Sequence, residues 1–294
     1  MRILVTGAAG YIGSALVRAL LPQGEVIAVD QTTPSAGTPV VGNLAYPQFA
    51  RSLITPEIGV VFHLASLVSG GAEQNFELGT KVNLDATRDL LEACRLAGHR
   101  PKFIFASSIA VYGGRIPDPV TDETPPSPRL SYGAQKLVCE ILIADYTRRG
   151  YLDGCSLRLP TVMVRPGAAN TAVSGWASAI VREPLAGRDY VCPVRPDTRM
   201  ACISLHRVVD AFRRAPSVTG TFLLPGISVS AQQMWNAVKG RAKGKVTFAP
   251  DERLQAIMDA VPKTTISDRG FVGSASIEEI VAEYEKEAAL ANHG

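Results

Sequence analysis

Three glycines, Gly7, Gly10 and Gly13, follow directly on the apolar run Arg2 to Thr6 (RILVT) and open a helical pattern from about Tyr11 to Leu21. That order leaves few folds open. A buried-type strand must turn sharply into a helix, and the missing side chains let the backbone pack closely and approach a bound group. Backbone N–H groups at such a helix start, together with the positive end of the helix dipole, suit a phosphate or pyrophosphate. Tyr11 and Ile12 lie in the first turn and are expected to share that contact. Pro22 and Gly24 close the helix.

The alternation continues along the chain. Glu25 to Asp30 (EVIAVD) and Val60 to Ala65 (VVFHLA) read as apolar strands, and Lys81 to Leu96 as a helix. The strand Lys102 to Ser107, a helix from Tyr132 to Arg149 and the strand Cys155 to Leu159 follow. Short apolar strands alternating with amphipathic helices predict an α/β protein of Rossmann type, a doubly wound parallel sheet with helices on both faces. Residues 1–160 form its dinucleotide-binding domain, and 200–226 return to it. From Pro160 the pattern loosens, broken by Pro166, Gly167, Pro184, Gly187, Pro193 and Pro196. Residues 161–199 and 227–294 are therefore read as a small substrate-binding lobe. Cys202 to Arg213 is a strand turning into a helix, and Ile277 to Ala291 an acidic amphipathic helix.

Asp30 ends the second strand. An acidic side chain there accepts hydrogen bonds from a ribose diol and repels a 2′-phosphate, so the spacing predicts NAD rather than NADP. Gly42, Asn43 and Leu44 are expected near the adenine, and Leu64, Ala65 and Ser66 near the pyrophosphate and ribose. His63, inside an apolar strand, is read as a core histidine with satisfied hydrogen bonds.

Tyr132 and Lys136 stand one helical turn apart, which puts both on one face of the predicted helix. The pair alone is a weak motif. Its position downstream of a dinucleotide fingerprint, with Ser108 at the end of the strand KFIFASS, gives it chemical meaning. A phenol is a poor base at neutral pH, and a neighbouring ammonium is expected to lower its pKa. Tyr132 would then remove a hydroxyl proton, Lys136 would also hold the nicotinamide ribose, and Ser108 would hydrogen-bond the reacting oxygen. Asn83 either positions this helix or a water, or caps the helix near Lys81.

The net charge of +3 is small for 294 residues, and no basic block interleaved with aromatics occurs, so no nucleic-acid partner is expected. Five cysteines without a C-x-x-C pair fit neither a disulfide framework nor a zinc site, and no metal is expected. They suit a reducing, cytoplasmic setting. With a strand read from Arg2, no signal segment is expected, and no apolar run reaches membrane-spanning length.

The combination TGAAGYIG (Thr6 to Gly13), HLAS (His63 to Ser66), SSIAVYG (Ser107 to Gly113) and SYGAQK (Ser131 to Lys136) resembles the extended short-chain dehydrogenase/reductase family. SLHRVVDAF (Ser204 to Phe212) is similar to its strand-to-helix signature. The resemblance implies that Ser108, Tyr132 and Lys136 hold the catalytic positions and that Pro160 and Val162 line the nicotinamide. It also implies a homodimer, formed through helices 83–97 and 132–149. Arg158-Leu159-Pro160-Thr161 replaces the family's asparagine-proline motif, and the lobe is short; both depart from the nucleotide-sugar epimerases. The run from Leu157 to Val194 resembles NAD-dependent dehydrogenases that oxidise a four-carbon sugar acid at C2 to the 2-oxo acid. A sugar acid needs a cation for its carboxylate, and this region holds Arg158, Arg165, Arg182, Arg188, Arg195 and Arg199. Arg182 and Arg199 are the leading candidates. The competing readings are an epimerase with tightly held NAD and a non-catalytic dinucleotide sensor. The intact tyrosine and lysine count against the sensor.

Overall fold

The apolar runs form a seven-stranded sheet that is parallel throughout its central pairings. The structure, a computed structural model, describes residues 2–167 and 171–291. The chain divides into two compact units. One comprises the chain up to Val111, Pro128–Arg158 and Val209–Phe222; the other comprises Tyr112–Ser127, Leu159–Val208 and the chain from Leu223 onward.

In the first unit, β1 (Arg2–Thr6) leads into α1 (Tyr11–Leu20), β2 (Val26–Asp30), β3 (Thr38–Val41), α2 (Pro47–Ser52) and β4 (Ile58–His63). The short helices α3 (Ser69–Gln74) and α4 (Phe76–Gly79) precede α5 (Ala86–Ala97), β5 (Lys102–Ser108), α6 (Ser131–Arg148) and β6 (Asp153–Leu159). The second unit contains β7 (Thr161–Met163), α7 (Gly175–Leu185), β8 (Tyr190–Cys192) and β9 (Arg199–Ser204). Helix α8 (Leu205–Arg214) then leads back to β10 (Gly220–Leu223) of the large sheet. β11 (Ile227–Ser230), α9 (Ala231–Lys239), β12 (Val246–Phe248), α10 (Glu252–Asp259) and α11 (Ile277–Ala291) complete the second unit.

The large sheet has the order β10-β6-β5-β4-β1-β2-β3. Chain direction across the sheet reverses between β1 and β4, the switch point at which ligands bind beyond the strand ends in such folds. Gly7 and the segment from Leu64 follow those two strands directly. One face of the sheet packs Leu4, Val29, Val61, Phe103 and Phe105 against Leu90, Leu91 and Cys94 of α5 and Cys139 and Ile143 of α6. Burial on both faces explains why these strands read as continuous apolar runs rather than alternating ones.

Two elements differ from the expected pattern. Cys202 lies in β9, which pairs with β7 and β11 in a three-stranded sheet of the second unit; the strand that rejoins the large sheet is β10. The single helix expected from Lys81 to Leu96 instead starts as a π-helical turn, Thr80–Asp85, and becomes regular only in α5. Such one-turn bulges often mark functional positions. Here the Asn83 carbonyl accepts hydrogen bonds from Thr87 Oγ1 (2.8 Å) and Cys139 Sγ (3.2 Å). Among the described residues no helix is long and apolar enough to cross a membrane.

Helix α6 is fixed to the sheet by a buried ion pair. Glu140, 4% exposed, takes two Arg158 nitrogens at 2.6 and 3.0 Å and also accepts the Ser107 hydroxyl, so it ties α6 to β5 and β6. A charge this deeply buried is tolerable only when paired and hydrogen-bonded. Glu140→Ala, which strands the guanidinium, should cost about 3–5 kcal/mol in denaturant unfolding. The control Glu25→Ala, which removes the half-exposed Arg2–Glu25 pair, should cost at most about 1 kcal/mol.

Candidate active site

The glycine turn is as tight as its sequence requires. Gly7 has φ +74°, and a Cβ there would stand 2.7 Å from the Ala65 amide nitrogen; one at Gly13 would stand 2.0 Å from the Gly7 carbonyl oxygen. Neither position admits a side chain, because strand, turn and helix touch through backbone atoms. Gly10 occupies the N-cap of α1 and supplies no side-chain cap, the type of helix start at which an anion is stabilised. Asp30 is already engaged with this turn: Oδ2 accepts from Ala9 N (3.0 Å), and Oδ1 from Gln31 N (2.7 Å). A backbone turn this tight at a helix start suits the pyrophosphate of a dinucleotide, and a carboxylate at the end of β2 suits a ribose diol.

Of the residues expected near the adenine, Asn43 forms a turn in which Oδ1 accepts from Ala45 N (2.9 Å). Gly42 N donates to Asp30 O (2.9 Å). The Leu44 side chain belongs to the core of the first unit, which leaves only its backbone for a ligand.

The segment Leu64, Ala65 and Ser66 is held from two sides. Leu64 N donates to Thr6 O (3.1 Å), and Ala65 N reaches Thr6 Oγ1 (3.4 Å). His63 is the core residue its setting predicts: Nδ1 pairs with Thr6 Oγ1 (2.7 Å) and Nε2 with Thr87 Oγ1 (2.9 Å), and burial pushes its pKa down to about 3. From the other side the buried Asn83 side chain reaches in. Its Oδ1 accepts from Leu67 N (2.7 Å) and Ser66 Oγ (3.0 Å), and its Nδ2 donates to Leu67 O (3.0 Å) and Gln135 Oε1 (2.8 Å). Asn83 is thus a positioning residue of the loop after β4 and not a helix cap.

Ser108, Tyr132 and Lys136 come together at the end of β5 and the start of α6. Ser108 Oγ accepts from Ala110 N (3.1 Å). Gly133, beside Tyr132, makes the docking possible, since a Cβ there would lie 2.0 Å from the Ala110 carbonyl oxygen. Lys136 is buried, donates to Ala106 O (2.8 Å) and places Nζ over the rings of Phe105 and Tyr132, at 4.6 and 5.5 Å from their centroids. The expectation that Lys136 lowers the Tyr132 pKa is corrected here. Burial raises the phenol above its ordinary value, and it is the hydroxyls of Ser66 and Ser108 that pull it back. Burial likewise brings Lys136 down to about 8, opposed by the neighbouring Cys139 and Glu140.

Pro160, Val162 and five of the six arginines lie in the second unit. Arg158 is the partner of Glu140. Arg182 is buried and spends its donors on Glu183 (2.7 and 2.8 Å) and the Arg165 carbonyl (2.7 Å). Arg188 also binds Glu183 (2.6 Å), and Arg195 binds Asp259 (2.8 Å). Arg199 is exposed, and among the described residues its side chain has one long hydrogen bond, to Ser228 O at 3.5 Å. Residues 168–170 of the run from Leu157 to Val194 lie outside the described residues. Sequence reading missed Thr6, Thr87, Gln135 and Glu140, whose roles depend on partners far away in the chain.

The model of the NAD dependent epimerase/dehydratase family matches residues 3–198. The chain is 40% identical to a D-erythronate dehydrogenase of Cupriavidus necator, over 99% of this chain and all of the relative. It is 38% identical to one of Haemophilus influenzae, over 97% and 98%. Its fold matches the crystal structure of a nucleoside-diphosphate-sugar epimerase from Agrobacterium tumefaciens with a TM-score of 0.91, at 33% identity over 98% of this chain and 95% of that one. The glycine cradle, Asp30 and the serine–tyrosine–lysine group therefore stand in a chain that belongs to the NAD dependent epimerase/dehydratase family.

Proposed function

We propose that this protein is an NAD-dependent sugar-acid dehydrogenase that oxidises D-erythronate at C2 to 2-oxo-D-erythronate. The observation that carries this reading is the end-to-end likeness to two D-erythronate dehydrogenases. Gly7, Gly10, Tyr11, Ile12 and Gly13 would hold the pyrophosphate of NAD. Asp30, Asn43 and the Leu44 backbone would take the adenosine end, and Leu64, Ala65, Ser66, Pro160 and Val162 the ribose and nicotinamide. When bound, NAD supplies the acceptor for the hydride that leaves C2.

The protein's own part is proton transfer. Tyr132 Oη takes the proton of the C2 hydroxyl, while Ser108 Oγ donates to the same oxygen and holds it as charge develops. Lys136 would hold the nicotinamide ribose, and the Ser66 and Ser108 hydroxyls oppose the burial that raises the Tyr132 phenol. Arg199 has the spare donors that a substrate carboxylate needs, whereas a carboxylate at Arg182 would compete with Glu183. In solution a second copy would cover the outward apolar side chains Val138 and Ile141 of α6 and Leu96 of α5. Five buried free cysteines suit a reducing, cytoplasmic setting.

NADH should accumulate when the protein is given D-erythronate and NAD, with far less from NADP, in an assay across three- to six-carbon sugar acids. The 33% identity to the nucleoside-diphosphate-sugar epimerase supplies the competing outcome: conversion of a nucleotide sugar without net NADH, which would replace this reading. Tyr132→Phe should lower kcat by about 10²–10⁴-fold while leaving NAD affinity within about twofold in a binding titration. Because the base form of a raised phenol is needed, wild-type oxidation should speed up from about pH 6 to pH 8, a rise that Tyr132→Phe abolishes. Ile141→Glu should convert a dimer to a monomer in light scattering, with a circular dichroism spectrum like that of the wild type.

A further inference from the structure

Gln135 stands immediately before Lys136 on α6 and is 5% exposed. Its two amide atoms are used unequally. Oε1 accepts from Asn83 Nδ2 at 2.8 Å, while the buried Nε2 has no hydrogen-bond partner among the described residues. Leaving a buried donor unpaired costs its desolvation without return, so the side chain is not there for simple packing. An apolar residue of the same size would avoid that cost, except that it would leave Asn83 Nδ2 one acceptor short. Gly79 leaves the room that Nε2 occupies, since a Cβ added there would stand 3.2 Å from Nε2 and 3.0 Å from Ala72 Cβ.

Asn83 is the hub that Gln135 serves. It makes three hydrogen bonds to Ser66 and Leu67, in the irregular segment between β4 and α3. On its other side α6 grips it twice, one helical turn apart: Gln135 Oε1 takes its side-chain N–H, and Cys139 Sγ donates to its backbone carbonyl. The helix that carries Tyr132 and Lys136 is thereby coupled to the segment carrying Ser66.

We infer that Gln135 is a positioning residue for the cofactor: its carbonyl oxygen locks Asn83, and Asn83 sets the Leu64–Leu67 segment that NAD lies against. The inference rests on the NAD site proposed above and is independent of which substrate is oxidised. Only the acceptor oxygen matters in this arrangement, so a glutamate, which burial favours in its protonated, uncharged form and which keeps a carbonyl acceptor, should substitute where an isosteric apolar residue does not.

The test is titration of NAD into wild-type protein and the Gln135→Met and Gln135→Glu variants, followed by protein fluorescence or calorimetry, with thermal melts alongside. Gln135→Met should weaken NAD binding about tenfold, the size of one lost hydrogen bond to a preorganised polar group, and Gln135→Glu should stay within about threefold of wild type. A residue that merely fills space would give the reverse order, with methionine tolerated and a buried carboxylate not. Wild-type affinity in Gln135→Met, or a loss in Gln135→Glu as large as in Gln135→Met, overturns the inference. If Gln135→Met does not fold, Gln135→Leu takes its place under the same criteria. No sugar acid enters the titration, so a failed substrate assay leaves its outcome readable.

Discussion

The buried carboxylate of Glu140 is the interaction on which the chemistry of the first unit depends. It lies on the same helix as Tyr132 and Lys136 and is neutralised by Arg158 from the neighbouring strand and by the Ser107 hydroxyl. An ion pair removed from water contributes little net stability, because desolvation cancels most of the attraction, but it strongly penalises any arrangement in which one partner is left alone. That penalty fixes where α6 lies on β5 and β6. Gly133 permits the closest contact of that helix with the turn after Ser108. The Glu140 carboxylate also favours the charged form of Lys136, against a burial that drives it toward neutrality. One buried anion thus serves both the docking and the basicity of the helix.

The parts of this molecule that were legible in the sequence are those governed by local rules. RILVT followed by Gly7, Gly10 and Gly13 could be read because glycine at a strand-to-helix turn has a steric meaning within a dozen residues, and the backbone contacts at Gly7 and Gly13 bear that out. His63 was legible as a core residue because an apolar strand surrounded it. The strands β1, β2, β4, β5 and β6 were recognisable because each is buried on both faces and therefore continuously apolar.

What escaped the sequence was decided across the fold. Nothing near Lys81 announces a π-helical turn; it is held by a histidine–threonine chain from β1 and β4 and by a thiol from α6. Leu44 was expected beside the adenine, and its side chain also belongs to the core of the first unit, a packing contact made across the fold. The upward shift of the Tyr132 phenol follows from its burial, which the helical spacing of Tyr132 and Lys136 does not reveal. Arginines offered another ambiguity. Their number suggested an anion site, yet Arg158, Arg182, Arg188 and Arg195 are each committed to carboxylates of this chain.

Asp30 carries a consequence for cofactor preference as an evolvable trait. Its carboxylate is one of the fastenings of the glycine turn, accepting from Ala9 as well as from its own strand end. On the proposed placement of NAD, selectivity against a 2′-phosphate and the shape of the glycine turn would rest on a single side chain. A lineage that exchanged NAD for NADP by replacing this residue would loosen the phosphate cradle in the same step, and would have to acquire a second change near Ala9 to restore it.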